Sequence, residues 1–300
     1  MGDNTLKNTI GILYPGEMGS SFGKLLAENG FRVVTTVEGR SLRTHHLCRD
    51  AGLSVVDRVG EVLECSDIVI SFVPPGAALQ VAKSVTALVK SSSKRLLYVD
   101  ANSISPMTAT QIFEGLRIAA VDFVDASIHG LASQLQKRGI LYLSGSRAQE
   151  LSNLLGQLMR VKVISDVPGH ASALKMILAG MSKGLVGLFV EMMLFSREMS
   201  LFSEALETCA DFYPGVIESV KRLLPTYPQH AGRRSEELRE LERTMLLNGS
   251  NPRVVRAVRD VITDLAGIGW AKVSEPQHWT IPEIIEEVHR KHTLAKSERG

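Results

Sequence analysis

Apolar residues recur at two different periods in the first half of the chain and at one in the second. Residues 10–13 form an apolar run that closes in a turn holding Gly16 and Gly19. Residues 18–28 then carry Met18, Phe22, Leu25 and Leu26 at helical spacing, and Gly30 opens a β-branched run at Val33, Val34, Thr35, Thr36 and Val37. This order is a β-turn-α-β unit of the kind that holds a dinucleotide. Strand-like runs recur at 67–73, 95–100, 118–124, 141–143 and 161–164, alternating with helical patterns at 76–90, 106–113, 131–138 and 147–159. Such alternation predicts a mostly parallel, doubly wound sheet. From about residue 169 the pattern is helical, with breaks near 212–215, 225–232, 248–252 and 276–282 and a charged tail expected to fray. The expected fold is α/β: an N-terminal Rossmann doubly wound sheet over residues 1–167, followed by an all-α domain over 168–300.

Residues 169–191 are apolar almost all round, the signature of a buried helix or a membrane span. Lys175, Lys183 and Glu191 divide the segment into charge-free stretches of about seven residues, against the roughly 20 that a bilayer requires. It is therefore expected as a central packing helix, with no membrane partner. Ala179, Gly180, Gly184 and Gly187 would let another helix come close at a domain or subunit contact. Composition adds exclusions: 44% hydrophobic content over 300 residues suits two domains with a sizeable core, and a net charge of +2 gives no reason to expect nucleic-acid binding. Cys48, Cys65 and Cys209 have neither disulfide nor metal-ligand spacing. With a polar start and no signal peptide expected, the cytoplasm is the predicted compartment and no metal is expected.

The glycine turn lets a pyrophosphate approach the N-terminus of the first helix, where Gly16, Glu17, Met18 and Gly19 stand and where the helix dipole favours an anion. Tyr14 occupies the place where most such fingerprints have their first glycine. After the second strand the chain reads Glu38-Gly39-Arg40-Ser41-Leu42-Arg43. Two guanidiniums one helical turn apart, with Ser41 as a helix cap, suit the 2′-phosphate of NADPH. The alternative is that Arg40 and Arg43 are merely solvated and Glu38 accepts from a ribose hydroxyl.

Five ordered motifs resemble the β-hydroxyacid dehydrogenases: Gly16-x-Met18-Gly19, Val73-Pro74-Pro75, Asp100-Ala101-Asn102-Ser103, Asp125-Ala126-Ser127-Ile128-His129-Gly130, and Ser172-Ala173-Leu174-Lys175-Met176. The chain is most similar to the 6-phosphogluconate-dehydrogenase-like branch whose C-terminal helical domain has no assigned function. The resemblance implies a homodimer, hydride transfer from a nicotinamide, and Lys175 as general acid/base beside the reacting oxygen. A lysine in an apolar helix near a cationic nicotinamide has its neutral form favoured by desolvation and by like charge; the competing reading is a lysine whose stem lies in the core while its ammonium reaches solvent or a carboxylate. The resemblance further implies that Val73, Pro74 and Pro75 stiffen the loop beneath the nicotinamide ribose, unless the prolines simply end the strand. Asn102 would bond the nicotinamide carboxamide or a substrate oxygen.

Two departures matter. Leu178 and Ala179 stand where the family usually has asparagine, and His129, next to Gly130, replaces the usual substrate-binding serine. His129 is thus a candidate second proton-transfer or oxyanion-binding group, or a loop residue that only shapes the pocket. In the helical half, Tyr227, His230 and Arg233 are candidate pocket residues, with Arg233 facing an acidic substrate; a solvated turn capped at Ser235 explains them as well. Trp270 and Trp279 are expected to pack. The expected function is an NADPH-dependent oxidoreductase acting on a carbonyl or hydroxyl of a small metabolite. The alternatives are an NADPH-dependent imine reductase and a non-catalytic NADPH-binding module.

Overall fold

A computed structural model of the chain describes residues 9–89, 95–270 and 279–297, with the side chains of 292–297 left out. The polar start, Lys90, residues 276–278 of the last expected break and the final three residues of the tail lie outside the described residues. Two compact units divide inside one helix: Met1–Lys175 and Met176–Gly300.

The first unit runs β1 (Thr9–Leu13), α1 (Glu17–Glu28), β2 (Arg32–Thr36), α2 (Leu42–Asp50), β3 (Ser54–Val56), α3 (Val59–Cys65), β4 (Ile68–Ser71), α4 (Pro75–Val89), β5 (Leu97–Asp100), α5 (Pro106–Ile118), β6 (Asp122–His129), α6 (Leu135–Arg138), β7 (Ile140–Ser144), α7 (Ala148–Leu155), β8 (Arg160–Ser165) and the start of α8 (His170–Glu198). The strands form one sheet in the order β3-β2-β1-β4-β5-β6-β7-β8. All neighbours are parallel except β6 and β7, which run antiparallel. Alternate strand residues feed two apolar layers. Ile10, Ile12, Ile70 and Val99 pack with Phe22 and Leu26 of α1, while Val34, Val69, Tyr98 and Phe123 pack with Val85 of α4 and Ile112 and Leu116 of α5. The strand order reverses between β1 and β4, and in sheets of this kind the carboxyl ends of those strands open a crevice for ligands.

One strand expected from the sequence is corrected in this unit, and one stretch of elements carried no expectation. The run expected as strand from 118 is the last turn of α5, with Ile118 exposed and the chain turning at Ala120 (φ 55°), so β6 begins only at Asp122. The α2-β3-α3 stretch left no periodic signal because α2 buries only Cys48 and β3 is a three-residue strand with Ser54 and Val55 exposed.

The second unit continues α8 and adds α9 (Phe202–Phe212), α10 (Pro214–Leu223), a 3-10 turn at Leu224–Thr226, α11 (Tyr227–Leu247), α12 (Arg253–Gly267) and α13 (Ile281–Ser297). Its core joins Val186, Phe189, Val190 and Met193 of α8 to Val220, Leu238, Ile262 and Ile285. Trp270 and Trp279 do pack, edge to face at 5.2 Å between ring centres. The break expected over 225–232 is mostly helix: Pro228 sits in the first turn of α11, where its missing N–H is tolerated. Ser235 is accordingly a buried mid-helix residue hydrogen-bonded to Thr263 at 2.7 Å, not a cap. The tail up to Ser297 is the end of α13.

α8 also departs from expectation. It is long and apolar enough by length and composition to cross a membrane, yet only 33% of its most apolar window is buried. One face enters the helical core, and the opposite face, from Ile177 to Met199, is exposed. An all-round apolar sequence cannot reveal this, because it does not say which face the remaining helices cover.

Candidate functional site

The carboxyl ends of β1 and β2 gather the residues expected to hold a dinucleotide. Gly16 precedes α1 without any side-chain cap, and nothing lies within 4 Å of where a Cβ would stand, so the first turn of α1 is open to an anion. Gly19 is required by packing: a Cβ there would lie 2.9 Å from the Phe72 Cβ, so the glycine lets α1 seat against the segment after β4. Tyr14 takes φ 54°, the left-handed conformation that its counterpart glycine adopts freely and that costs an L-residue about 1–2 kcal/mol. Its ring carries the Arg40 guanidinium 4.0 Å from the ring centre. Ser41 caps α2, accepting from the Thr44 N–H at 3.4 Å, as the sequence predicts. Arg43 lies 3.7 Å from Glu17, an exposed pair worth little by itself. An open helix N-terminus flanked by two arginines fits a polyanionic cofactor.

The segments after β4 and β5 are braced by Asn102. Its Oδ1 accepts from the Val73 N–H at 2.6 Å, and its Nδ2 donates to Ser71 Oγ at 3.2 Å and to Asp100 Oδ2 at 3.0 Å. At 3% exposure the amide expected to meet the nicotinamide or substrate is turned into the protein. Pro75 is the first residue of α4, and Val73 and Pro74 make the short link before it. Asp100 is fully buried, and burial, with a smaller push from Asp125, lifts its carboxyl to about 7 against the bonds from Asn102. Folding therefore favours the protonated acid. The stabilising contribution of Asp100 is complete below about pH 4 and is lost as the pH rises through about 7. A carbon-13 titration of this carboxyl should show a midpoint near neutrality; a midpoint near 4 would refute the assignment.

The third group surrounds Lys175. Its Nζ donates to Ser103 Oγ at 2.7 Å, joining α8 to the loop after β5. Asp125 is fully buried where β6 passes under the start of α8. It accepts from the Ser172 N–H at 2.9 Å, from Ser172 Oγ at 2.6 Å and from Ser144 Oγ at 3.1 Å. Ser144 Oγ in turn accepts from the Ala171 N–H at 2.9 Å. A carboxylate at a helix N-terminus is favourable, although burial still lifts its pKa against these bonds. The sequence alone assigns no role to Ser103, Asp125 or Ser144. The available signal was an acidic residue in an otherwise apolar strand, at the end of β5 for Asp100 and in the middle of β6 for Asp125. His129 is the exposed last residue of β6, and Gly130 takes φ 140°, with a would-be Cβ 3.0 Å from the Gly139 Cα.

In the helical unit, Tyr227 lies in the core at 1% exposure under the Arg234 guanidinium, 4.0 Å from its ring centre, and burial pushes its phenol up to about 12. That removes it from the expected pocket. His230 and Arg233 are exposed on α11, and Arg233 bonds Glu237 at 2.9 Å, which also receives the buried Lys183 at 2.8 Å.

Residues 9–161 match the family model for the NAD binding domain of 6-phosphogluconate dehydrogenase, and residues 197–265 match a domain of unknown function (DUF1932). Among solved structures, a conserved protein of unknown function reported to resemble 3-hydroxyacid dehydrogenases is 29% identical, with a TM-score of 0.73 over 86% of this chain and 97% of its own. The 3-hydroxyisobutyrate dehydrogenase of Mycobacterium tuberculosis, solved with L-serine, shares 15% identity at a TM-score of 0.73 over 95% of this chain and 98% of its own. An imine reductase from Myxococcus stipitatus, solved with NADP+, shares 19% at 0.57 over 93% and 99%. The last two likenesses are likenesses of fold.

Proposed function

The chain belongs to the family of the 6-phosphogluconate dehydrogenase NAD-binding domain, a hydroxyacid-dehydrogenase-like family of NAD(P)-dependent oxidoreductases, and from that premise we propose that it uses NADPH to interconvert a carbonyl and a hydroxyl on a small metabolite. The observation that carries this reading is the Lys175 ammonium held 2.7 Å from Ser103 Oγ, beside the loop that leaves the sheet's carboxyl edge. When bound, the nicotinamide supplies or accepts the hydride. In the reductive direction Lys175 gives its proton to the carbonyl oxygen as the hydride reaches the carbon; in the oxidative direction it takes the hydroxyl proton back. Ser103 aims the ammonium, and His129 binds the developing oxyanion or supplies a second proton. The reading includes a cytoplasmic homodimer with no nucleic-acid or membrane partner.

Arg40, Ser41 and Arg43 support NADPH over NADH. We expect at least tenfold tighter NADPH binding, which is only about 1.4 kcal/mol and within reach of one charged phosphate contact. Titration calorimetry with both cofactors measures it, and equal affinities would reject it. Tyr14→Gly relieves the backbone strain but removes the seat of Arg40. It should therefore narrow the preference without lowering stability.

Imine reduction is the second reading, favoured by Leu178 and Ala179 in place of asparagine and by His129 in place of serine. A panel of keto acids, aldehydes and cyclic imines, read by NADPH consumption, separates the two. Tight NADPH binding with no turnover on any member would instead favour a non-catalytic module.

A further inference from the structure

We propose that the face of α11 from His230 to Glu237, with Lys183 of α8 at its Glu237 end, binds an oxyanion: a phosphate or carboxylate group of a small acidic metabolite. Counted from His230, Arg233, Arg234 and Glu237 stand 3, 4 and 7 residues on, so all four share one side of the helix. Every residue of this site belongs to the helical unit. The site is separate from the pair formed by Lys175 and Ser103 and does not depend on the reaction proposed above.

Its charges do not balance. Glu237 pairs with Lys183 Nζ at 2.8 Å through Oε2 and accepts from Arg233 Nη1 at 2.9 Å through Oε1, so each of its oxygens already holds one cation. Arg234 pairs with no carboxylate among the described residues. Its Nη2 donates to the neutral Thr226 Oγ1 at 2.6 Å, its central carbon lies 4.0 Å from the Tyr227 ring centre, and its Nη1 is sealed from solvent with no acceptor. The neighbouring Glu236 turns instead to Arg239, at 2.6 Å. Three permanent cations, Lys183, Arg233 and Arg234, thus face one carboxylate, a surplus of two positive charges.

On a mobile surface such a surplus is screened by water and salt. Here two of the cations cannot swing away. Lys183 is 6% exposed, and Arg234 is clamped between Thr226 and the ring of the buried Tyr227. Held like this, the positive charge lacks compensation until an anion supplies it. Burial leads the influences that push the Arg234 pKa down. Burial, then Arg233 and Arg234, hold the His230 imidazole below its ordinary value, against the smaller effects of the Gln229 backbone and Glu237. The groups that reach a ligand are the exposed ones: His230, and Arg233 with its side chain 66% exposed. Arg233 brings a planar fork matched to two oxygens of a carboxylate or phosphate, and an imidazolium adds a further donor. From His230 to Glu237 the face is about 10 Å long, the span of one or two acidic groups and too short to follow a nucleic-acid backbone.

The test is a proton NMR titration of His230 in the full chain, its signal identified by its loss in His230→Gln. The titration is run at constant ionic strength in chloride, then with inorganic phosphate, then with malonate. In chloride the midpoint should lie below the ordinary 6.5. A bound oxyanion favours the imidazolium, so the midpoint should climb to a plateau about one pH unit higher, a tenfold gain in proton affinity. A plateau with phosphate alone assigns a phosphorylated ligand, one with malonate alone a carboxylate, and one with both an acidic group of either kind. Arg233→Gln, an exposed change that leaves the fold intact, should abolish the response. Arg234→Gln should raise the midpoint in chloride by removing a cation, and should abolish the response as well. Phosphate captured at the first turn of α1 cannot imitate this, because it would survive both variants. A midpoint that both anions leave where chloride puts it overturns the site, as does a response that persists in Arg233→Gln. Either result leaves the readings of the cofactor and of Lys175 standing.

Discussion

Lys175→Met is expected to fold, to bind NADPH about as tightly as the parent, and to lose about 10²–10⁴-fold in turnover, the usual contribution of a positioned acid/base. The separation of effects follows from where the groups stand. The phosphates of a bound cofactor would face the open first turn of α1 and Arg40, whereas Lys175 contacts the loop after β5 through Ser103. Methionine keeps the length and apolar stem of lysine and removes only the proton carrier. Ser103→Ala, which leaves the ammonium but not its aim, should cost less, about tenfold, and mainly in kcat. The measurement is steady-state kinetics on whichever substrate the panel identifies, alongside cofactor titration of each variant. Near-parental turnover in a folded, cofactor-binding Lys175→Met protein would remove the carbonyl mechanism and leave His129 as the proton donor for imine reduction. Tyr227 is no candidate for that role, being sealed in the helical core under Arg234.

Asp125→Ala should destabilise the first unit by about 3 kcal/mol. The carboxylate is fully buried, so deletion strands the Ser172 N–H and the hydroxyls of Ser172 and Ser144 away from water. Burial makes the charge itself expensive, as the raised pKa shows, and this opposes the loss. The stranded donors win because none can turn to solvent where Ser144 is fully buried and Ser172 is 2% exposed. For a unit of this size the change lowers the melting temperature by about 6–12 °C. Asp125→Asn keeps one acceptor and should lose about half as much. Ser172 lies one helical turn before Lys175, so the folded Asn variant should also show a lowered kcat at an unchanged KM. Thermal unfolding of both variants decides the matter, and an Ala variant that melts with the parent would show that Asp125 does not hold α8.

The dinucleotide half was legible because its signals are local. Each apolar run meets its turn within a few residues, so periods of 2 and 3.6 read off the chain became β1, α1, β2, β4, β5 and most of the later elements of that half. The Ser41 cap was also visible, since it depends on neighbours in one turn-and-helix unit, whereas the crowding of Gly19 comes from Phe72, 53 residues away. Where a segment buries almost nothing, as in α2 and β3, there was no period to read.

The chemistry of individual side chains was decided elsewhere. Asn102 has a family position that suggests a ligand, yet three bonds to Ser71, Val73 and Asp100 turn it inward. Lys175 reaches a partner 72 residues away in sequence, and Asp125 one 47 residues away. Tyr227 looked available in a Pro-rich stretch and became core once α11 began at that residue. The apolar residues of α8 were plain, but which of them face water was not. By itself the sequence determined most of the elements, their order and the family, because backbone conformation and binary pattern are set by near neighbours. Only the tertiary structure decided which polar groups are spent within the protein and which face of α8 stays bare, because both depend on surfaces that distant segments bring together.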